Sequence, residues 1–341
     1  MRALSLAVDF AVRLGATLGL ARARARIAVV QYAILAGVCA YLALQLSKIG
    51  WSQIASSFPE SPLFYLIFAL RYFLLPLFEV ATYSIVLRRP MGRHFPAFVR
   101  KRVYNVAVMG YSGEAFFTLW ARRSLKLTTE EVLLAVKDNN IVSAFVSNAA
   151  TALLVAGLYF AGRLGLALEA MPEAALLFTY AFVAPAIFAL GVALFRDRLL
   201  SAAPDVVAKL VVVNVARLLL ALTLHALLYW SALPAAPMET WLVFCALHLS
   251  LSRVPFAPAL DILFLTAALH FSSLVAAPAA VVAGMLAAET GLGQLFNVAL
   301  FAATAHLASP FPRPQPSATG AASPIGADDS PPALSGRPGI R

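Results

Sequence analysis

The feature of this sequence that most restricts its fold is a series of apolar segments, each near the length needed to cross a lipid bilayer. A helix that spans the hydrocarbon core requires about 20 predominantly apolar residues. Only 12% of the residues are charged and 61% are hydrophobic, whereas about a quarter of an average soluble domain is charged. We therefore predict an all-α, polytopic transmembrane helical bundle. Its expected spans are 27–46, 63–87, 139–160, 174–195, 206–230 and a shorter, polar-interrupted one at 290–308.

The formal net charge of +10 comes from basic residues that are grouped in short connecting segments. This grouping is typical of loops on the cytoplasmic side of a membrane and not of a nucleic-acid-binding face. We expect residues 1–26 to be a basic cytoplasmic leader, either an amphipathic helix over 4–20 or an unstructured segment. The basic loop 88–102 should also be cytoplasmic, and the mildly acidic loop 161–173 should face outward.

The stretch 103–120 is apolar but has basic residues on both sides, which predicts a re-entrant element that enters and leaves on one face. Its centre, Gly110-Tyr111-Ser112-Gly113-Glu114, predicts the helix break, because glycine tolerates the backbone angles of a tight reversal. A second break is expected at 253–258, where two prolines interrupt the apolar pattern shortly before Asp261. Irregular backbone at membrane depth is tolerated where protein or a watery cavity surrounds it.

An offset of about 147 residues aligns the two halves of the chain. It brings Arg71 and Glu79 within one residue of Arg217 and His225, and it brings Glu114 onto Asp261. The alignment predicts a first membrane repeat at 27–160 and an inverted second repeat at 174–308, as in many transporters. The Pro-, Ser- and Gly-rich tail at 309–341 is expected to be disordered.

Arg71, Glu79 and Arg217 lie inside predicted spans, where a charged side chain usually points into a bundle or a cavity. We expect them to line a polar cavity that receives a lipid headgroup. The alternative is a structural ion pair, such as Glu79 with Arg217.

Two further acids, Glu114 and Asp261, each follow a predicted break. They could bind a cationic headgroup or a coupling ion near the midplane. Alternatively, they could simply stabilise the positive end of a helix dipole.

Other chemistry has little support in the sequence. The histidines have no HxxxH or HExxH spacing, so we expect neither a metal site nor a cofactor. Cys39 and Cys245 both lie in apolar segments and form no redox motif. The polar run 137–140 should begin the third span as a cap and interfacial anchor. No catalytic constellation is recognisable.

Several local motifs resemble the membrane domain of the lysylphosphatidylglycerol synthase and flippase-like family. They are Tyr104-Asn105, Gly110 to Glu114, Trp120 to Arg123, Leu127 to Glu131, and Val254 to Asp261. The resemblance covers roughly 27–308, and it implies that Asn105, Gly110 and Gly113 join Glu114 in the headgroup site. Met109 stands where the family has a proline, and the second break lacks the family's Gly-Gly-x-Gly. Because only the short tail follows, we do not expect this chain to transfer aminoacyl groups.

Together these patterns predict a lipid translocase of a bacterial inner membrane, with its N-terminus in the cytoplasm. Its partners would be membrane lipids that carry a phospholipid or lipid-linked headgroup, and not nucleic acid. One alternative is a non-transporting membrane subunit that scaffolds a lipid- or glycan-synthesis enzyme. Another is an intramembrane enzyme that acts on lipid headgroups.

Overall fold

A computed structural model describes residues 44, 47, 51–107, 111–163, 165, 174–252, 260–270 and 278–304. Within these ranges the regular structure is helical, with a single 3₁₀ turn at Gly92–His94. The α-helices are α1 (Trp51–Ser56), α2 (Pro62–Val86), α3 (Phe95–Ala107), α4 (Ser112–Ser124), α5 (Thr129–Phe160), α6 (Ala174–Leu194), α7 (Arg196–Leu199), α8 (Pro204–Ala232), α9 (Met238–Leu251), α10 (Leu260–His270) and α11 (Ala279–Thr304).

Four of these helices, α2, α5, α8 and α11, are long and apolar enough to cross a membrane. They carry large apolar side chains on their outer surfaces, as lipid-facing helices do. Examples are Leu66, Leu153, Leu219 and Val298, which are each more than half exposed. The chain is therefore an integral membrane protein with an all-helical bundle, as predicted.

The spans predicted at 63–87, 174–195 and 206–230 correspond to α2, α6 and α8 within a few residues. Two boundaries were wrong. Helix α5 begins ten residues before the expected start at 139, and α11 begins eleven residues before the expected start at 290. The predicted leader, the first span, the second break and the tail lie outside the described residues, apart from isolated positions.

The early start of α5 has a local cause. Thr128 Oγ1 accepts a hydrogen bond from Glu131 N at 3.2 Å, and Glu131 Oε2 accepts one from Thr128 N at 2.8 Å. This reciprocal capping box satisfies two backbone donors at a helix start. The polar run 137–140 consequently lies two turns inside the helix and is not its cap. Asp138 is buried there and accepts from Ser201 N at 3.1 Å.

The main hydrophobic core is formed by α2, α8, α9, α10 and α11 with the C-terminal part of α5 and the start of α6, and α1 packs at its edge. Helix α2 lies along α8, and α5 lies along α6. Helix α11 approaches α1 closely at Gly284, where an added Cβ would lie 2.5 Å from Ser57 O. This contact requires glycine because no side chain fits between the two backbones.

Helices α3 and α4 form a tight antiparallel hairpin, separated by a break at the position that the glycines predicted. Tyr111, at the start of α4, has a left-handed φ of 67°. The rings of Tyr104 and Phe116 stack across the hairpin with their centroids 5.0 Å apart. Gly113 N donates to Asn105 Oδ1 at 2.7 Å. Gly110 lies outside the described residues.

The expected basic loop 88–102 is not a loop, since its second half is the first part of α3. Arg100 and Lys101 are buried. Arg100 lies against the rings of Tyr104, Phe116 and Phe301, at 5.5, 5.8 and 4.6 Å from their centroids. Aromatic faces and nearby carboxylates therefore stabilise basic side chains that the sequence pattern had predicted to lie in a solvent-exposed loop.

Candidate functional site

Helix α2 presents two charged residues, Arg71 and Glu79, eight positions apart on one stripe. This spacing separates them by about 12 Å along the axis at about 1.5 Å per residue. Each binds a different set of partners from the neighbouring helices. The charged interior consequently has two centres, one around Arg71 and one around Glu79.

In the first centre, Arg71 binds Glu289 of α11 and His225 of α8. Its Nη1 donates to Glu289 Oε1 at 2.5 Å, and its Nη2 lies 3.3 Å from His225 Nδ1. The other ring nitrogen of His225 lies 2.6 Å from the hydroxyl of Tyr229 and 3.6 Å from Glu289 Oε1. Glu289 is therefore already engaged from two directions, and Arg71 is held in place.

Beside this centre lies a cavity of about 220 Å³. Charged and polar side chains form part of its wall, and apolar side chains form the remainder. The polar part includes Arg71, Tyr72, Arg102, His248, Glu289, Thr290, Gln294 and Asn297, and the apolar part includes Phe68, Val106, Phe264, Leu265 and Leu286. A molecule with one charged end and one hydrocarbon end would match both parts.

Arg102 of α3 is the second cation of this cavity. Its guanidinium lies 4.3 Å from the centroid of the Tyr72 ring, whose hydroxyl donates to Asn297 Oδ1 at 2.6 Å. The Nε atom of Arg102 is buried and has no hydrogen-bond partner. Among the described residues, no carboxylate lies within ion-pair distance of Arg102.

In the second centre, Lys101 of α3 lies between two carboxylates. Its Nζ binds Glu79 and also lies 3.3 Å from Glu114 Oε1. Lys101 is 1% exposed, and one carboxylate oxygen on each glutamate is buried without a hydrogen-bond partner. The sequence correctly placed Glu114 in the first turn of a helix after a break, but it did not identify the lysine between the two acids.

Arg217 does not form the ion pair with Glu79 that the sequence offered as an alternative. Its Nη2 donates to Ser143 Oγ at 3.0 Å. Glu79 is near enough to interact with it electrostatically, but Lys101 is the ion-pair partner of Glu79. Lys101 can reach this carboxylate because α3 packs directly on α2.

Asn105 and Gly113 hold the α3–α4 hairpin together. A Cβ added at Gly113 would lie 2.7 Å from Asn105 Oδ1. The local geometry accounts for both residues as parts of the hairpin. Asp261 lies in the first turn of α10, where the sequence placed it, but its side chain lies outside the described residues.

Sequence reasoning missed Glu289, Lys101 and Arg102. Glu289 could have been found as a lone acid inside an apolar segment, had the span not been started at 290. Lys101 and Arg102 gave no such signal, because a run of basic residues usually indicates a solvated loop. No group of three His, Cys, Asp or Glu side chains within the described ranges could hold a metal ion.

Comparison with protein-family models, with curated proteins and with solved structures finds no match to this chain.

Proposed function

We propose that this integral membrane protein translocates a lipid across a bacterial inner membrane, with the headgroup passing through the cavity beside Arg71 and Arg102. The observation that carries the proposal is the two-part wall of that cavity. Its polar part can solvate a headgroup, and its apolar part can contact the first carbons of the acyl chains.

The proposal includes an inverted repeat, for which the spacing of the charged contacts is the main support. A spacing of 146 residues separates Arg71 from Arg217, Glu79 from His225, and Ser143 from Glu289. Arg71 binds Glu289, and its counterpart Arg217 binds Ser143, the counterpart of Glu289. Such reciprocal contacts are expected when a pseudo-two-fold axis relates two halves.

A second reciprocal pair involves α2 and α8. Arg71 contacts His225, and the counterparts of these two residues, Arg217 and Glu79, lie on the same two packed helices. The helices also follow the spacing of 146 residues. With this offset, α2, α3, α4 and α5 correspond to α8, α9, α10 and α11 within a few residues. An inverted repeat of this kind would make the α3–α4 hairpin and the α9–α10 pair equivalent re-entrant elements.

The proposed halves differ in their charges, which would give the protein a direction. Arg71 is neutralised by a carboxylate, whereas Arg217 faces a serine hydroxyl. Arg102 has His248 as its counterpart at the same spacing, and both line the cavity. The headgroup site would therefore lie where the two halves meet, which is usual for transporters built from repeats.

The test is lipid movement in proteoliposomes that contain the purified full chain and a headgroup-labelled lipid. A membrane-impermeant quencher reports the leaflet that each labelled lipid occupies. We expect faster redistribution than in protein-free vesicles. Absence of redistribution for anionic, zwitterionic and aminoacylated lipids, with folded protein, would contradict the proposal and favour a scaffold subunit.

Two glycines of α11 provide a matched pair of variants. A Cβ added at Gly293, in the cavity wall, or at Gly291, away from it, would meet no atom within 4 Å. Gly293→Leu should fill the cavity without a backbone clash and abolish movement. Gly291→Leu should leave movement unchanged.

A further inference from the structure

We infer that the cavity beside Arg71 and Arg102 recognises a phosphodiester, and that Arg102 is the residue that meets its anionic oxygens. The inference rests on the proposed function in taking the ligand to be a lipid, and it adds the chemical class of the headgroup. The lipid it identifies has one phosphodiester and an uncharged, hydroxyl-bearing headgroup.

The charge of the cavity is the first support. Arg71 and Glu289 neutralise one another through a 2.5 Å contact, which leaves Arg102 as an arginine in the wall without a carboxylate at ion-pair distance among the described residues. A cation in a low-dielectric site is costly unless it is paired. A single phosphodiester carries the one negative charge that would compensate it.

The hydrogen bonds of Arg102 are the second support. Its Nε is buried and has no acceptor, and the ring of Tyr72 covers the guanidinium at 4.3 Å. This donor is free to bond to an acceptor that a ligand in the cavity brings. The flat fork of a guanidinium matches two oxygens of a phosphate, which a carbonyl or an ether could not offer in the same way.

The remaining wall discriminates among phospholipids. Thr290 and Gln294 lie one turn apart on α11 and line the cavity, so they can bond to headgroup hydroxyls. A zwitterionic or aminoacylated headgroup also brings an ammonium, whose charge a free carboxylate in the wall would stabilise. Among the described lining residues the acid is Glu289, and Arg71 already binds it, with His225 Nε2 3.6 Å away.

The experiment measures equilibrium binding to the purified full chain in uncharged detergent, by native mass spectrometry. The probes are phosphatidylglycerol, phosphatidylcholine, lysylphosphatidylglycerol, diacylglycerol and glycerol 3-phosphate. We expect phosphatidylglycerol to bind at least about tenfold more tightly than diacylglycerol, as a charge-assisted phosphate contact implies. It should also bind more tightly than the two lipids that carry an ammonium.

Arg102→Gln should reduce phosphatidylglycerol affinity about tenfold, and Arg102→Lys should restore part of the loss because it keeps the charge but not the fork. Arg198→Gln is the matched control, because Arg198 is exposed on α7 and lies away from the cavity. A helical spectrum and monodisperse elution show that each variant is folded. If Arg102→Gln misfolds, the Lys variant and the headgroup series still test the inference.

The outcomes separate this inference from the proposed function. Equal affinity for phosphatidylglycerol and diacylglycerol, or an equal loss in Arg198→Gln, would overturn the phosphodiester site even if lipid moves in vesicles. Binding of glycerol 3-phosphate without binding of any lipid would indicate a site for a soluble phosphomonoester, and it would overturn both the phosphodiester lipid and lipid translocation. Tight phosphatidylglycerol binding without lipid movement in vesicles would support the phosphodiester site and contradict the proposed translocation.

Discussion

Arg71 of α2 and His225 of α8 contact one another, with Nη2 and Nδ1 3.3 Å apart, and Glu289 of α11 binds both. Three helices that are distant in sequence thus meet at one carboxylate. Because a guanidinium can only donate, His225 Nδ1 is the acceptor in this contact, and the other ring nitrogen lies 2.6 Å from the Tyr229 hydroxyl. The carboxylate is the group on which this arrangement depends.

Replacement of that carboxylate should destabilise the bundle. Glu289→Gln would leave Arg71, which is mostly buried, without its counter-ion, a loss of about 3 kcal/mol for a broken buried pair. We expect a Tm several degrees lower, measured by scanning fluorimetry in detergent. Glu239→Gln is the control, because Glu239 and Arg163 form an ion pair with half-exposed side chains. An equal effect in both variants would contradict the importance assigned to Glu289.

Loss of Lys101 should be compensated by removal of the two carboxylates that it binds. Lys101→Met would leave Glu79 and Glu114 facing one another without a cation, and we expect almost no monodisperse protein by size-exclusion chromatography. Adding Glu79→Gln and Glu114→Gln to the same chain removes both charges and should recover folded protein. A triple variant as poorly folded as Lys101→Met would show that packing, not charge, is decisive there.

Gly284 should tolerate no side chain. Gly284→Ala places a Cβ 2.5 Å from Ser57 O, so α1 and α11 must separate, and we expect a loss of about 1–3 kcal/mol, as for overpacking. Gly291→Ala, on the same helix with open space around it, should be neutral or stabilising by up to about 1 kcal/mol from helix propensity. Thermal unfolding of the two variants, side by side, tests this difference.

His94 should make stability depend on pH. It lies outside the membrane-spanning helices and contacts the Trp120 ring edge-on, with centroids 5.2 Å apart. Partial burial and then the neighbouring Arg93 lower the pKa of His94 below its usual value of 6.5. The unfolded chain therefore binds this proton first, and the contribution of neutral His94 is lost as pH falls below about 6.5.

The measurement is Tm between pH 5 and 8 for the natural chain and for His94→Gln. The difference between the two curves should narrow toward low pH, since the variant cannot take up the proton. Parallel curves would show that His94 does not contribute to the acid sensitivity of the protein.

The sequence allowed prediction of the long helices because a continuous apolar run is a local property. Helix α6, predicted at 174–195 and found at Ala174–Leu194, depends on little else. The break before Glu114 was predicted within Gly110–Glu114, but the left-handed residue found there is Tyr111, and Gly113 already lies inside α4. The positions of the Arg100, Lys101 and Arg102 side chains could not be predicted from the local sequence. Their surroundings depend on Glu79, on Tyr72 and on Phe301, which lie on other helices.

The burial of Lys101 also bears on the order in which the helices insert into the membrane during synthesis. If the α3–α4 hairpin is re-entrant, as proposed, it would carry an unpaired ammonium into the bilayer unless Glu79 of α2 were already in place to bind it. A segment with such a requirement should remain at the membrane surface or within the insertion machinery until its neighbour arrives. Insertion of the hairpin would then depend on α2, and a chain that ends between α2 and α3 would leave the Glu79 carboxylate without its cation.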